Sequence, residues 1–449
     1  MHDDSRLPRR LGLGSALAVL VGSVIGSGIF RSPAVIADRL PGPVPMLAAW
    51  VAGGLFALCG ALTLAEIASA LPRTGGLYVF IREGWGRVYG FLFGWAQLAV
   101  IRAAALGAIS TTFAEYFLRV LGYDPGLEPY ASWVHYVAAV AIIITAGFNI
   151  RGVRWGAMVQ NVTTLAKYGA LVFIVLVAFT VGAMRMDLAA NLTPAMPAGS
   201  FRLPMFGLAL VSVLWVLDGW ADLSYVAGEV KEPRKNLPRA LILGVLLVIG
   251  IYLLVNIAYL AVLGIEGMRG SPLVAAEVAS QLIGPAGVIF VSLTVMVSTF
   301  GTLNGVLLTN PRIFFALAAD KLFFRKVAAV HPRYETPYVA VALAASLGVV
   351  WVLMLNFEQL ADAFVTAILP FYALGVSAIF FLRRRADYQP SFRVPLYPVV
   401  PIAFILAVIF LLGNAILDVS SRWATIGTLG LVALGVPVYF LTVGRGKNK

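Results

Sequence analysis

Apolar runs long enough to cross a bilayer recur from one end of this chain to the other. A helix needs about 20 predominantly apolar residues to span the hydrocarbon core. Short polar connections separate twelve such runs. We predict spans 1 to 12 near residues 11–37, 45–71, 85–118, 132–149, 157–184, 204–228, 238–264, 276–317, 337–355, 360–382, 396–417 and 422–443. The pattern indicates an all-α membrane protein that forms one polytopic domain over residues 1–449.

Span 1 contains a stretch that is unusually weak as a helix former. The sequence GSVIGSGIF places three glycines and two serines in its middle, and each glycine costs about 1 kcal/mol against alanine inside a helix. A GxxxG packing patch explains Gly22 and Gly26. It does not explain Ser23, Ser27 and Gly28 as well. We therefore predict that the helix breaks here.

Span 6 contains a second interruption. Asp218 lies beside Gly219, between Trp215 and Trp220, and an ionisable group at this depth is costly unless it faces a cavity or has a partner. Spans 1 and 6 are five spans apart, which is the spacing that two five-helix inverted repeats give when each opens with a broken helix. Paired interruptions of this kind point to the substrate site of a transporter.

A helix break inside the membrane offers main-chain groups to a ligand, because hydrocarbon cannot hydrogen-bond them. The N-terminus of the second half-helix presents N–H groups and a positive dipole end, which suit a carboxylate. The C-terminus of the first half presents carbonyl oxygens, which suit an ammonium group. Glycine lets a ligand approach the backbone closely. One broken span can therefore recognise both ends of an α-amino acid.

Composition and charge agree with a membrane protein. Hydrophobic residues make up 60% of the chain and charged residues 12%, whereas soluble domains carry roughly 25% charged residues. The net charge of +12 sits mainly in alternate short connections and at the termini. It is a topology signal rather than a sign of a nucleic-acid partner, and it predicts that both termini lie on the cytoplasmic side of the cell inner membrane.

Other function classes find little support. The three histidines lie in tails, loops or span ends, and the spans show no nucleophile with a histidine base and no metal-ligand cluster. We expect no enzyme activity, no cofactor and no metal. A channel would not need two broken helices related by internal symmetry. Counterflow distinguishes a transporter from a channel.

Four stretches carry a resemblance to the amino acid–polyamine–organocation superfamily, in particular to its L-type amino acid transporter branch. They are GSVIGSGIF, FAEYFLRVLG (113–122), DGWADLSYVAGEVKEPRKNLPRA (218–240) and VSTFGTLNG (297–305). The resemblance implies a LeuT-type fold, alternating access and amino acid exchange. Its two inverted repeats and two extra C-terminal spans would cover about 11–185, 204–382 and 396–443.

The resemblance also implies a substrate site. The α-carboxylate would meet the N–H groups of Ser27, Gly28 and Ile29, and Gly26 would turn the chain. The α-ammonium would meet carbonyls of Ser23, Val24, Ile25, Trp215 and Val216. Trp215 falls where the family has an aromatic gate, and Asp218, next to Gly219, falls where members vary between glycine and an acid.

Lys167 lies about ten residues inside span 5, which is about 15 Å of helix. The resemblance implies that its ammonium replaces the sodium ion of sodium-coupled relatives and bridges span 1 to Ser298 or Thr299 on span 8. We therefore predict sodium-independent transport. The alternative for this lysine is a side chain that extends to the membrane interface.

The remaining predictions concern substrate and partners. Asp218 either caps the second half of span 6 or selects cationic side chains. Neutral L-amino acids are the first expectation, and cationic amino acids or polyamines, with possible proton coupling, are the alternative. Arg102 pairs with an acid or lines the path. The only cysteine, Cys59, lies inside span 2, and the loop after span 3 lacks the cysteine that links animal relatives to a heavy chain, so we expect no disulfide-linked partner.

Overall fold

The computed structural model describes residues 9, 11–73, 75–151, 168–271, 273–319, 322, 325–334 and 336–442. Within these ranges the chain is helical, and a single β-bridge joins Leu11 to Val230. The principal helices are Leu13–Val24, Gly28–Arg39, Pro43–Ala70, Leu77–Trp85, Arg87–Val120, Tyr130–Arg151, Tyr168–Arg185, Leu203–Leu217, Asp222–Glu229, Pro233–Met268, Val274–Ile283, Pro285–Ala319, Tyr338–Met354, Phe357–Leu382, Val399–Leu417 and Arg422–Thr442. This confirms the all-α prediction for the part of the chain described.

Among the residues that the structure describes, ten helices are long and apolar enough to cross a membrane, and the bent pair Leu13–Val24 and Gly28–Arg39 adds an eleventh span. The predicted span 9 corresponds to Tyr338–Met354, an apolar helix of 17 residues. The fold is therefore that of a multi-pass membrane protein.

One predicted boundary is wrong and one helix was not predicted, and both differences occur at glycines. Span 8 does not run from 276 to 317, because Gly284 has a positive φ of 71° and separates Val274–Ile283 from Pro285–Ala319. Glycine adopts this conformation without strain, and proline is favoured at the first position of a new helix. An additional helix, Leu77–Trp85, precedes span 3 and lies between Gly76 and Gly86, which both have positive φ.

Glycines along span 2 let it pack closely against spans 6 and 7. A Cβ atom on Gly53 would lie 2.4 Å from Val213, and one on Gly54 would lie 2.8 Å from Ile249. A Cβ atom on Gly60 would lie 2.4 Å from Trp220. Such small residues are typical of close helix packing in membranes. They hold span 6 at a fixed position beside spans 2 and 7.

The bundle has two ends that matter for the site. We call the end that carries Leu11, the start of span 1, the N-terminal face. The connections 71–73, 75–76, 230–232 and 383–398 lie at this face. The other end, where Arg39 ends span 1, is called the opposite face. Spans 1 and 6 both have their interruptions between these two faces.

Candidate functional site

The break in span 1 lies at Ile25–Ser27. The first half ends at Val24 and the second begins at Gly28, with a bend of 46° between them, which confirms the predicted break. Gly26 does not have a positive φ, and the nearest atom to a Cβ placed on it would be the Val24 carbonyl oxygen at 3.9 Å. Gly26 therefore leaves open space beside the break.

The break in span 6 differs from the sequence prediction. The α-helix ends at Leu217, four turn residues follow, and the chain continues as a 3₁₀ segment, Asp222–Glu229. Asp218 has extended backbone angles and is the C-terminal cap residue of the first half. The residue at the N-cap position of the second half is Ala221. The prediction that Asp218 is an N-cap is therefore wrong, since it lies four residues before the next helical segment.

The two breaks touch each other. Gly219 has a φ of 100°, and a Cβ on it would lie 2.9 Å from the carbonyl carbon and oxygen of Ser23. From the other side, a Cβ on Gly28 would lie 3.1 Å from Val216 Cγ2 and 3.3 Å from Trp215 Nε1. The predicted site residues of spans 1 and 6 are thus brought together; Gly219 requires a glycine, and a Cβ on Gly28 would make tight contacts with span 6.

The N-terminus of the second half of span 1 is rich in hydrogen-bond donors. The first N–H groups of a helix have no partner inside the helix. The indole N–H of Trp215 lies beside Gly28, is buried, and has no hydrogen-bond partner in the described part of the chain. Trp215 also packs edge-to-face against Phe364 and Phe357, at 5.0 and 6.3 Å between ring centroids. We call these three rings the aromatic layer.

A role for Tyr252 on span 7 was not predicted. Its side chain satisfies one of the main-chain groups that the break in span 1 leaves without a helical partner. Its hydroxyl donates to the Val24 carbonyl at 2.9 Å and is hydrogen-bonded by the backbone of Gly26. The ring packs at 5.8 Å against Trp50. A buried tyrosine hydroxyl usually needs a hydrogen-bond partner. A tyrosine within an apolar span is therefore the one sequence signal for such a contact with a helix break.

Asp218 lies in a polar cluster formed by spans 3, 6 and 10. Its Oδ1 accepts a hydrogen bond of 2.5 Å from the Tyr372 hydroxyl. Arg102 exerts an attractive charge interaction on both Asp218 and Asp222. Its Nε also donates to Gln97 at 2.7 Å. Arg102 therefore lies close enough to both acids for its charge to act on them, while its printed side-chain hydrogen bond goes to Gln97.

Gln97 opens a π-helical stretch in span 3, Gln97–Ile101, just before Arg102. Such π-helical stretches are rare in proteins, and those that occur often lie at functional sites. The Gln97 side-chain amide nitrogen is buried without a partner among the described residues. The bulge directs a polar pair into the bundle at the level of Asp218.

The predicted sodium-site substitute is described only in part. Lys167 lies outside the described residues. Tyr168, which follows it, has its hydroxyl 3.6 Å from where a Cβ on Gly22 would be, so span 5 approaches span 1 there. On span 8, the buried Ser298 hydroxyl has no partner within the ranges given above. Thr299 donates to Val295 at 2.9 Å, which leaves its oxygen able to accept.

Towards the opposite face, arginine side chains join the second half of span 1 to neighbouring helices. Arg31 pairs with Glu115 of span 3 at 3.1 Å, and Arg39 pairs with Asp362 of span 10 at 3.1 Å. Arg269 donates hydrogen bonds to carbonyl oxygens at the end of span 1. Its guanidinium nitrogen lies 2.9 Å from the Leu40 carbonyl oxygen. These contacts hold the half-helix Gly28–Arg39 against its neighbours.

The N-terminal face is held by a buried carboxylate. Glu66 on span 2 accepts two hydrogen bonds from Arg383, at 2.8 and 2.6 Å, and one from the Val394 N–H at 2.7 Å. Ser69 accepts from the backbone of Ser391 at 3.2 Å. The connection 383–398 is thereby fixed across the end of span 2.

Glu83 and its basic neighbours lie at the same face. Burial favours a raised pKa for the Glu83 carboxyl, but a hydrogen bond from Arg385 and the charges of Arg82, Arg73 and Arg385 outweigh it. The pKa of Glu83 is therefore held below its usual value. The carboxylate stays ionised and ties Arg385, on the connection 383–398, to the helix Leu77–Trp85.

Comparison with known proteins gives a consistent result. A family model described as "Amino acid permease" matches residues 11–434. The serine/threonine exchanger SteT of Bacillus subtilis is 33% identical, over all of both chains. The human b(0,+)-type amino acid transporter 1 is 29% identical over 97% of this chain and 88% of its own length. The rat large neutral amino acids transporter small subunit 2 is 31% identical over 97% and 81%. These relatives are transporters and not enzymes.

Proposed function

This chain belongs to the amino acid permease family, within the amino acid–polyamine–organocation superfamily, and on that premise we propose that it exchanges neutral L-amino acids across the cytoplasmic membrane. Small substrates such as serine, threonine and alanine are the first candidates, because the relative that matches over its full length is named a serine/threonine exchanger. The observation that carries the proposal is the contact between the two helix breaks, where Gly219 meets Ser23 and Gly28 meets Trp215.

The proposed carboxylate position is the N-terminus of the half-helix that begins at Gly28. The donors of this proposed position are the N–H groups of Ser27, Gly28 and Ile29, where the half-helix begins, and the indole N–H of Trp215, which has no partner among the described residues. Four donors and a positive helix end favour an anion.

The proposed ammonium position is the end of the first half of span 1. The last carbonyl groups of a helix lack partners inside the helix. In the proposal those of Ser23, Val24 and Ile25 act together with the carbonyls of Trp215 and Val216 at the end of Leu203–Leu217, where Gly219 approaches Ser23. Tyr252 occupies one lone pair of the Val24 oxygen, so the second stays available.

We extend the proposal to the architecture. Counting Tyr338–Met354 as span 9 gives twelve spans, arranged as a LeuT-type pair of five-helix inverted repeats that open with broken spans 1 and 6, followed by two extra spans. The basic connections at the N-terminal face favour a cytoplasmic position for that face and for both termini. Cys59 is a free thiol in span 2, and we propose that the chain functions without a disulfide-linked heavy chain.

Lys167 is proposed to replace a sodium ion. The buried Ser298 hydroxyl and the accepting Thr299 hydroxyl are suitable ligands for an ammonium group. The approach of Tyr168 to Gly22 supports a position of this segment beside the first half of span 1. A covalently attached cation would make transport independent of sodium.

Counterflow in proteoliposomes tests the proposed function. With internal unlabelled serine, uptake of labelled serine is expected to rise at least about tenfold over empty vesicles, because exchange needs substrate on both sides. Replacement of sodium by choline should leave the rate unchanged. Equal uptake by loaded and empty vesicles, or a requirement for sodium, would contradict the proposal. Amines without the carboxylate should not compete, since the donors at Gly28 would lack their ligand.

Cationic amino acids are a second candidate, favoured by an acidic residue, Asp218, at the break, of which part is exposed. For Asp218→Asn we expect competition by lysine and arginine to weaken by roughly ten- to a hundredfold, because hydrogen bonds to a charged group contribute about 1.5–3 kcal/mol. Competition by serine and alanine should stay within about twofold. The measurement is inhibition of labelled serine exchange by a panel of amino acids.

Tyr372→Phe is the matched control for this variant, since it removes the hydroxyl bonded to Asp218 and keeps the carboxylate. It should retain sensitivity to lysine. A wild-type protein that lysine and arginine do not inhibit would exclude the cationic candidate. An Asp218→Asn protein that is inactive with every substrate would indicate a structural role for the carboxylate.

A further inference from the structure

Arg31 occupies a position that is unfavourable for a cation. It is the fourth residue of the half-helix Gly28–Arg39, and a positive charge near a helix N-terminus opposes the helix dipole. Its side chain is only 14% exposed, and that of its partner Glu115 is 9% exposed. Two charges buried in this way are costly unless they are well paired. The placement therefore needs a functional reason.

The aromatic layer links Arg31 to the proposed carboxylate position. Side chains on a helix point back to its N-terminus, so this residue covers the turn that begins at Gly28. The guanidinium lies 5.0 Å from the centre of the Phe357 ring. Phe357 contacts Trp215, whose indole nitrogen adjoins Gly28. Two rings of the aromatic layer, Phe357 and Trp215, therefore connect Arg31 to the carboxylate position.

Two consecutive residues of span 3 hold two consecutive residues of this half-helix. Glu115 accepts from Arg31 Nε at 3.1 and 3.3 Å. The buried Tyr116 hydroxyl donates to the Phe30 carbonyl at 3.1 Å. The Tyr116 contact is neutral, whereas the Glu115 contact depends on charge. An additional negative charge nearby would weaken only the second.

We propose that Glu115 is an internal substitute for the substrate carboxylate. It rests on the proposed function. In the empty carrier Glu115 holds Arg31 and locks the half-helix to span 3 at the opposite face. A substrate carboxylate at Gly28 attracts the same guanidinium and repels Glu115 across a region of low dielectric, where charge interactions are strong. The loaded carrier is released and the empty carrier stays locked.

This lock gives a physical reason for exchange. A ligand shifts a conformational equilibrium only by as much as it binds one state better than the other. The carboxylate is common to all α-amino acids, so the release does not depend on the side chain. An empty carrier has no second carboxylate and does not return. Influx and efflux are therefore coupled one to one.

Glu115→Gln tests the lock. Vesicles are loaded with labelled serine, and efflux is measured into medium with and without external serine. In the wild type, efflux should require external serine. In Glu115→Gln, efflux into serine-free medium should rise about tenfold, within the roughly 5- to 150-fold range of coupling between sites, while exchange changes much less. Glu128→Gln, an exposed glutamate on the connection after span 3, is the matched control and should behave as the wild type.

Arg31→Gln approaches the same pair from the other partner and guards against a misfolded Glu115 variant. It should also release serine-free efflux, and the double variant should add nothing to either single change. Variants that exchange serine but show no increase in serine-free efflux overturn the lock and leave the proposed function intact. A parallel loss of both fluxes would indicate a merely structural pair and also overturn it. A wild-type protein without exchange overturns the proposed function and the lock together.

Discussion

Gly219→Ala is expected to reduce amino acid exchange by at least about a hundredfold. Gly219 has a φ of 100°, and left-handed backbone conformations cost an alanine roughly 1–2 kcal/mol. The added methyl group would also lie 2.9 Å from the Ser23 carbonyl carbon and oxygen and 3.1 Å from the Val24 nitrogen. These are main-chain atoms of span 1, so no side chain can move aside. The two breaks would separate at the proposed ammonium position.

The measurement is counterflow of labelled serine at equal amounts of reconstituted protein. Gly250→Ala is the matched control, because Gly250 lies in the long helix of span 7 and a Cβ on it would have nothing within 4 Å. The control should keep full activity. A Gly219→Ala protein that exchanges serine at the wild-type rate would show that the breaks need not touch during transport.

Glu66→Gln is expected to lower the free energy of unfolding by about 3–5 kcal/mol, the usual effect of leaving one member of a buried ion pair alone. Glu66 is fully buried and holds both Arg383 and the Val394 N–H. Arg383 donates one hydrogen bond to each carboxylate oxygen of Glu66. The glutamine amide keeps only one of these acceptors, because its nitrogen is a donor. The connection 383–398 should detach from span 2.

Thermal unfolding in detergent, followed with a thiol-reactive dye, measures this effect. Cys59, the only cysteine, is half-buried in span 2 and becomes reactive when that span unfolds. Glu232→Gln is the control, because Glu232 is 74% exposed and its pair with Lys235 spans 4.0 Å. Such exposed pairs contribute about 0–1 kcal/mol. Similar transitions for the two variants would contradict the expected role of Glu66.

The sequence predicted structure well where an unusual residue in an apolar span has a single physical explanation. Glycine and serine in an apolar span predicted the break at Ile25–Ser27, and Asp218 beside Gly219 predicted the break in span 6. The mutual contact of the breaks followed from their five-span separation. Helix boundaries were less predictable. Gly284 lies in an apolar run, and only its positive φ shows that one helix ends there and span 8 begins after it.

Contacts between distant residues were the part that the sequence did not reveal. Arg31 and Glu115 are 84 residues apart, and Glu66 and Arg383 are 317 apart. Nothing in either local pattern specifies the partner. Tyr252 and Tyr372 appeared as ordinary aromatics, because a hydroxyl's partner depends on how the spans cross. The orientation of Asp218 was missed for the same reason, as three turn residues separate it from the helical segment that it was expected to cap.

The open space beside Gly26 has a stereochemical consequence. Under the proposed function, carbonyl oxygens fix the ammonium group and N–H donors fix the carboxylate. Trp215 and Val216 close the side of Gly28, so the side chain has one direction left. Three fixed directions around the α-carbon define a hand. The arrangement of the two breaks would then distinguish L- from D-amino acids through the main chain alone, whatever side chain is bound.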